Sequence, residues 1–372
     1  MGALRRVPIF FYKMQRRTLK WIIAHINPCR GALWCAREKQ SGSLIMTKVS
    51  VIMCVFNQQD TVERAVESVL AQRTSFPFEI VLADDCSADD TPRICARMAK
   101  KHPDTIRFIR RPHNLGIAPN YFDAIRQARG TYIADLAGDD LWIDSDKLQR
   151  QADLMDSDAS IVLCHTAWRK TDAEGHTVST ADHFMPDRLQ IADGPGLLPG
   201  LLAHCRRKWF VHLCSAMYRR DTTIQLMDSH PQLFTGRDLP CEDFQLICAL
   251  ASRGKIAAMP EVTLSYTTGH SSASSAEDHG KTSRFASRVA LLTLSTCRAL
   301  GCDDSIIIAY LRRQMQYALI NAIYSGDADT LTEARQAVGT LARVCGLPLK
   351  TRLTLMLAPL LYKRLLYKRR RK

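Results

Sequence analysis

Polar side chains, most of them carboxylates, follow three predicted strands at the point where each strand ends. Asn57 follows the first strand, the pair Asp84-Asp85 the second, and the pair Asp139-Asp140 the fourth. In an open parallel sheet, ligands bind outside the carboxyl ends of the strands, so we expect these side chains to meet. Each group alone is also typical of a turn or a helix cap. Three such groups at equivalent strand ends favour a binding site.

Clustered carboxylates repel one another and raise each other's pKa. A divalent cation removes that cost, and hard oxygen ligands select Mg²⁺ or Mn²⁺, which also take substrate phosphates as ligands. The pair Asp139-Asp140 therefore predicts a site for a metal and a diphosphate. The alternative for this pair is a simple turn after a strand.

The elements that must position these residues alternate along the chain. Apolar, β-branched runs predict buried strands, with amphipathic helices between them, over Val49–Phe56, Phe78–Ala83, Thr105–Ile109 and Thr131–Leu136. Four strand–helix units predict an α/β fold with a mostly parallel sheet flanked by helices. Further along, Gly194–Gly200 is rich in Gly and Pro and predicts a loop. The pattern beyond Arg284 is helical.

The charge of the 372-residue chain is +14, and it is concentrated at the two ends. Residues 1–40 carry nine Lys/Arg and one acid, and residues 335–372 carry eleven Lys/Arg and no acid. A nucleic-acid binder usually carries its positive charge on the folded face, so we expect no nucleic-acid partner. Basic amphipathic termini favour contact with an anionic membrane surface. The alternative is a helical bundle that packs these apolar residues against the rest of the protein.

Two further features of the sequence indicate the cellular compartment of the protein. Thirteen cysteines without a C-x-x-C pair predict reduced thiols in a cytosolic protein. No apolar run approaches the roughly 18–20 residues needed to cross a bilayer. We therefore expect a cytoplasmic protein, peripheral on the inner face of the cell membrane.

The ordered set of motifs resembles the family-2 glycosyltransferases, an inverting group with the GT-A fold. The resemblance covers about residues 47–270, and its motifs are Val49–Asn57, Asp84-Asp85-x-Ser87-x-Asp89-x-Thr91, Asn114-x-Gly116 with Asn120, Gly138-Asp139-Asp140-x-Trp142, Lys147-Leu148-Gln149 and Glu242-Asp243. Two positions depart from the family pattern. Ala137 replaces the first acid of the metal motif, and Tyr266–His270 lacks an arginine and has its histidine displaced by one residue.

The resemblance implies a role for each matching residue. The nucleotide-sugar pocket would be lined by Val55, Asn57, Asp85, Asn114, Gly116 and Asp139, with Asp85 accepting a hydrogen bond from the base. Mg²⁺ or Mn²⁺ would be held by Asp140 and Asp139, and His270 is a further candidate ligand, with a solvent-facing loop position as its alternative. Asp243 would be the general base, with Glu242 in reserve. From the residues alone, Asp243 is equally well explained as a helix cap.

The resemblance also implies a function and a domain organisation. The chain would transfer a sugar from a nucleoside diphosphate, most often UDP, to a hydroxyl of a glycan or lipid-linked acceptor, in envelope-polysaccharide or lipopolysaccharide assembly. The alternatives are a nucleotidyltransferase of related topology and a non-catalytic, membrane-associated scaffold. We expect a basic extension over 1–46, a GT-A domain over 47–283, and a helical region with a basic amphipathic tail over 284–372. Trp168 and Trp209 are expected in the core rather than stacked on a sugar.

Overall fold

A computed structural model gives the structure of the chain and describes residues 46–172, 175–179, 185–205, 209–268 and 278–358. Three of the sequence-based predictions lie wholly or largely outside these residues. They are the N-terminal extension, apart from Met46, the candidate ligand His270, and the basic tail beyond residue 358. The domain boundaries after residues 46 and 283 stay predictions.

The first half of the described chain alternates strands with helices, as the apolar pattern predicts. The elements are β1 (Val49–Val55), α1 (Val62–Leu70), β2 (Phe78–Asp84), α2 (Thr91–Lys101), β3 (Ile106–Arg110), α3 (Ile117–Gln127) and β4 (Tyr132–Asp135). β1 pairs in parallel with β2 and with β4, and β2 pairs in parallel with β3. The ends of these strands therefore open on one side of the sheet, which we call the carboxyl edge.

The second half adds strands of both directions. Its elements are β5 (Leu141–Trp142), α4 (Lys147–Ser157), β6 (Ile161–Thr171), β7 (Thr177–Ser179), β8 (Gln190–Asp193), α5 (Gly194–Leu202), β9 (Ala216–Arg219), α6 (Arg220–Ser229), α7 (Asp243–Ala251) and β10 (Lys255–Thr267). In the described residues the strand order is β3-β2-β1-β4-β9-β6-β10-β5. β9 runs antiparallel to both β4 and β6, so the predicted α/β sheet is confirmed and is mixed beyond β4.

The predicted loop over Gly194–Gly200 is wrong, because this segment forms helix α5. The Asp193 side chain accepts a hydrogen bond from the Gly196 N–H at 2.9 Å and caps the helix. Pro195 lies in the first turn, where its missing N–H costs nothing. Gly194 is needed for close approach, since a Cβ there would lie 2.1 Å from the Gly254 carbonyl oxygen.

The expected helical C-terminal region is confirmed. It comprises α8 (His279–Ala299), α9 (Ile308–Ser325), α10 (Ala328–Cys345) and a further helical segment over residues 349–358. Buried Leu319, Ile323 and Leu331 pack between α9 and α10. Among the residues that the structure describes, no helix has both the length and the apolar character needed to span a membrane.

Candidate active site

The loops that follow β1 and β2 are joined through Asn57. Its backbone N–H donates to the Ser87 hydroxyl at 2.9 Å, and its Oδ1 accepts from the Ala88 N–H at 2.9 Å. Asn57 has a φ of 53°, in the left-handed region where asparagine is one of the better tolerated residues. Asn57 therefore fixes the shape of the loop at the end of β1.

The motif from Asp84 to Thr91 builds the same junction. Asp84 is fully buried and accepts a hydrogen bond from the Ser87 hydroxyl at 2.5 Å. The Thr91 hydroxyl accepts from the Gln58 N–H at 2.8 Å, and Asp89 accepts from the Thr91 N–H at 3.0 Å. Asp84 therefore stabilises the turn after β2, and Asp89 stabilises the start of α2. These structural roles are sufficient to account for an aspartate at each position.

Asp85 connects this junction to the loop before α3. Its Oδ1 accepts from the Leu115 N–H at 2.7 Å and its Oδ2 from the Gly116 N–H at 3.0 Å. The Asn114 amide donates to the Asp85 carbonyl oxygen at 3.2 Å, and Gly116 adopts a φ of 94°. The structure thus brings together three of the predicted pocket residues. Each carboxylate oxygen has two lone pairs, so Asp85 retains capacity for a ligand donor.

The loop that follows β4 lies against the end of β1. A Cβ at Gly138 would lie 2.5 Å from Gln58 Oε1 and 2.6 Å from Val55 Cγ1, so only glycine fits there. This close approach holds the next two residues, Asp139 and Asp140, beside the loop that carries Asn57. The predicted pocket residue Val55 is itself buried and forms part of this contact.

Asp140 is a desolvated carboxyl group. It is 1% exposed and accepts a hydrogen bond from the Thr267 N–H of β10 at 3.0 Å. Burial, together with the charge of Asp139, raises the pKa of Asp140 to about 8, although the hydrogen bonds from the Thr267 backbone and the Cys214 thiol oppose that rise. Such a pair is costly to ionise unless a cation lies beside it.

The chemistry of this donor set fits a hard divalent ion shared with a substrate. Asp139 and Asp140 offer carboxylate oxygens, the ligands that Mg²⁺ and Mn²⁺ prefer, and these ions complete their shells with water and phosphate. Within the described residues, no group of three or more His, Cys, Asp or Glu side chains is arranged to hold a metal by itself. A metal at this pair would therefore depend on the diphosphate for further ligands.

Glu242 and Asp243 lie at the start of α7. The Asp243 carboxylate accepts from the Phe244 N–H at 2.7 Å. Burial raises the pKa of the Glu242 carboxyl, and the charges of Asp243 and Asp135 raise it further.

The electrostatic surroundings of two partly buried thiols, Cys54 and Cys214, indicate that these acids share one region. Burial raises the pKa of Cys54, on β1, and the charges of Glu242, Asp135 and Asp85 add to the rise. Burial likewise raises the pKa of Cys214, and there the added charges are those of Asp140, Asp135 and Asp139. Because electrostatic influence falls with distance, each thiol lies among acids from separate parts of the sequence. Asp135 is the acid whose charge raises the pKa of both thiols.

Asp135 is the site residue that sequence reasoning missed. It is 3% exposed, and its Oδ1 accepts from the Tyr121 hydroxyl at 2.8 Å and from the Tyr218 hydroxyl at 3.4 Å. Among the residues that the structure describes, its Oδ2 has no hydrogen-bond partner. Burial raises the pKa of Asp135 to about 7, opposed by the two tyrosines and by the charge of Lys147. The signal was present in the sequence, since an acid interrupts the apolar strand from Tyr132 to Leu136.

Two aromatic residues are where core packing predicts them. Trp168 and Trp209 are 5% and 8% exposed, so the expectation that they belong to the core is confirmed. Trp168 packs edge-on against Tyr266, with ring centroids 5.7 Å apart. Tyr266 precedes Thr267, whose N–H binds Asp140, so this aromatic cluster supports the strand that carries the acid's hydrogen bond.

Comparison with known proteins places this architecture in a family. Residues 50–222 match the model of the family described as "Glycosyl transferase family 2". An uncharacterised protein of Mycobacterium bovis is 38% identical over 116 residues, which are 31% of this chain and 34% of the relative. The putative glycosyltransferase EpsE of Bacillus subtilis is 38% identical over 94 residues, 25% of this chain and 34% of that protein. The alignments thus span about a third of the length of these curated relatives.

The similarity to solved structures covers more of the chain than the family match does. The crystal structure of Staphylococcus aureus TarS 1–349 in complex with UDP-GlcNAc has a TM-score of 0.57 and 17% sequence identity, and the match covers 85% of this chain and 86% of that one. The fold of this chain is therefore GT-A. The family match identifies residues 50–222 as a family-2 glycosyltransferase segment within this fold.

Proposed function

We propose that this chain transfers a sugar from a nucleoside diphosphate, UDP in the first instance, to a hydroxyl of a glycan or lipid-linked acceptor, with inversion at the anomeric carbon. The observation that carries the proposal is the convergence of acids at the carboxyl edge. Asp85 follows β2, Asp139 and Asp140 follow β4, and the close approach of Gly138 to Val55 and Gln58 holds that second pair beside the loop that follows β1.

The nucleotide would bind between the loops that follow β1 and β2. Asp85 is held by two backbone N–H groups and still has lone pairs for the N–H of a base, which supports its predicted role. Val55, Asn57, Asn114 and Gly116 shape the walls around it. The TarS crystal structure is a complex with UDP-GlcNAc, which supports a UDP-sugar as the first donor to test here.

The diphosphate would bind beside Asp139 and Asp140, and these two residues would hold Mg²⁺ or Mn²⁺. When bound, the ion neutralises negative charge that develops on the leaving nucleoside diphosphate. An acid in place of Ala137 is not needed for this role, because the diphosphate and water supply further ligands.

The acceptor hydroxyl would be deprotonated by Asp243. Its oxygen forms a bond to the anomeric carbon as the bond from that carbon to the diphosphate breaks, and the proton passes to the Asp243 carboxylate. A single displacement needs one base, in contrast to the carboxylate pair of a glycoside hydrolase. Asp243 is preferred over Glu242, because burial and the neighbouring charges raise the pKa of the Glu242 carboxyl and so disfavour the ionised form that a base needs.

The acceptor class is proposed from the names of relatives and from charge. Succinoglycan biosynthesis protein ExoO of Rhizobium meliloti is 37% identical over 110 residues, which are 29% of this chain and 30% of that protein. This name supports a role in polysaccharide biosynthesis, and within that class we propose envelope-polysaccharide or lipopolysaccharide assembly. The cationic ends of the sequence support a cytoplasmic location at the inner face of the membrane, where lipid-linked acceptors would be within reach.

Turnover by two variants tests the assignment of the base. The purified chain is incubated with a panel of nucleotide sugars and Mn²⁺, and free nucleoside diphosphate is measured. Asp243→Asn should lower kcat by about a thousandfold, the usual range for loss of a general base, with donor affinity unchanged. Glu242→Gln is the matched control and should retain far more activity.

Each outcome has a distinct meaning. Equal turnover of Asp243→Asn and the unchanged chain would remove Asp243 from the mechanism. A greater loss in Glu242→Gln than in Asp243→Asn would transfer the role to the reserve residue. No turnover and no binding with any donor would favour the non-catalytic scaffold instead.

A further inference from the structure

The helical segment over residues 349–358 has two apolar faces. One face is buried: Thr351 is 1% exposed, Ala358 is 0% exposed, and Leu355 packs against the cluster that contains Leu319 and Ile323. The Thr354 hydroxyl accepts from the Gln316 amide of α9 at 3.0 Å. The segment is therefore docked on the C-terminal helices in a definite orientation.

The opposite face is apolar and exposed. Leu349 and Met356 are each 70% exposed, and Leu353 and Leu357 are each 48% exposed. The last three of these residues follow Leu349 by four, seven and eight positions, and a rotation of about 100° per residue places all four on one side of the helix. We call these four residues the C-terminal stripe.

Cationic side chains border the C-terminal stripe on both sides. The same rotation places exposed Lys350 on one flank and exposed Arg352 on the other. Residues 359–372, which follow the segment in sequence, contain seven Lys/Arg and no acid. Apolar side chains flanked by long cationic ones fit a surface that offers hydrocarbon beneath negative charge.

We propose that the C-terminal stripe inserts into the surface of an anionic phospholipid bilayer, with Lys350 and Arg352 at the level of the headgroups. This deepens the membrane location in the proposed function, which rests on charge alone, by naming the side chains that enter the lipid. It does not depend on the donor or on the chemistry at Asp140. A second copy of this chain is the other occupant that an apolar stripe could have, but the flanking cations would repel their counterparts across such an interface.

The experiment is flotation of the full chain with vesicles of equal parts phosphatidylglycerol and phosphatidylcholine, and with vesicles of phosphatidylcholine alone. The unchanged chain should float with the anionic vesicles and bind the neutral ones far more weakly. Leu353→Glu/Met356→Glu should lower the partition coefficient at least about tenfold, because each side chain leaves hydrocarbon and adds a negative charge. Lys350→Gln/Arg352→Gln should lower it by about fivefold per residue and reduce its dependence on salt.

The matched control is Val178→Glu/Leu189→Glu, which alters exposed apolar side chains away from the segment. It should bind vesicles like the unchanged chain. Circular dichroism and UDP affinity of every variant distinguish a lost surface from a lost fold or a failed donor proposal. Unchanged flotation of the stripe variant would overturn the proposal. So would light scattering that shows a dimer only in the unchanged chain, if vesicle binding is equal in both.

Discussion

Replacement of Asp135 by asparagine should change how the stability of the protein depends on pH. The carboxyl group is 3% exposed, and burial raises its pKa from 3.8 to about 7. A carboxyl with a folded pKa above its unfolded value keeps its proton longer in the folded state. Its contribution to stability is therefore greatest below pH 4, and it is lost as the pH rises towards 7.

The magnitude follows from the two values. The interval from 3.8 to about 7 corresponds to about 4 kcal/mol of stability lost by pH 8, and about 2 kcal/mol of that loss has occurred by pH 5. Asparagine has no such titration and still accepts from the Tyr121 hydroxyl. Its amide nitrogen takes the place of the unpartnered Oδ2 and costs about 1–3 kcal/mol at every pH.

The assay is urea unfolding of the unchanged chain and Asp135→Asn, followed by tryptophan fluorescence at pH 5 and pH 8. The difference in unfolding free energy should move by about 2–3 kcal/mol in favour of the variant between these pH values. Asp60→Asn, at an exposed carboxyl, is the control and should show no comparable movement. If the two proteins lose stability in parallel across this range, Asp135 does not carry the buried proton that its environment implies.

Two other substitutions test the loops of the site. Gly138→Ala forces a Cβ to within 2.6 Å of Val55 and Gln58, so we expect a loss of about 1–3 kcal/mol and weaker UDP binding. Gly200→Ala, where a Cβ would meet nothing within 4 Å in helix α5, should be neutral or stabilising; equal losses in thermal unfolding would contradict the close approach. Asp85→Asn can no longer accept from both Leu115 and Gly116, and it should lose about 1–3 kcal/mol as well as UDP affinity. Full UDP affinity in calorimetry would separate Asp85 from the nucleotide.

The parallel half of the sheet was predictable because each strand is a continuous apolar run between turn residues. Asn57, Asp85 and Asp139 stand out in sequence, since polar residues directly after buried strands have few structural reasons to cluster. The sequence does not predict which of the polar residues in these motifs stabilise the loops themselves. Asp84 and Asp89 make local hydrogen bonds, with Ser87 and Thr91. The role of Asp85 in holding the loop at Gly116 depends instead on hydrogen bonds between segments about thirty residues apart.

The loop predicted from local composition over Gly194–Gly200 is wrong because contacts between distant segments decide the structure there. Gly194 and Pro195 suggest a loop by composition, but Asp193 caps a helix there and Gly194 allows the close approach of Gly254. Asp135 was missed for a related reason. Its hydrogen bonds come from Tyr121 and from Tyr218, and Tyr218 lies on an antiparallel strand that the alternation of strands and helices does not predict.

Calorimetric titration of UDP into the full chain, with Mn²⁺ and then with a chelator, tests most directly whether the acids at the carboxyl edge act together on one donor. We predict binding that weakens at least about tenfold without the ion and to the same extent in Asp140→Ala with the ion present. Affinity that is equal with and without Mn²⁺, and equal in Asp140→Ala, would contradict this prediction.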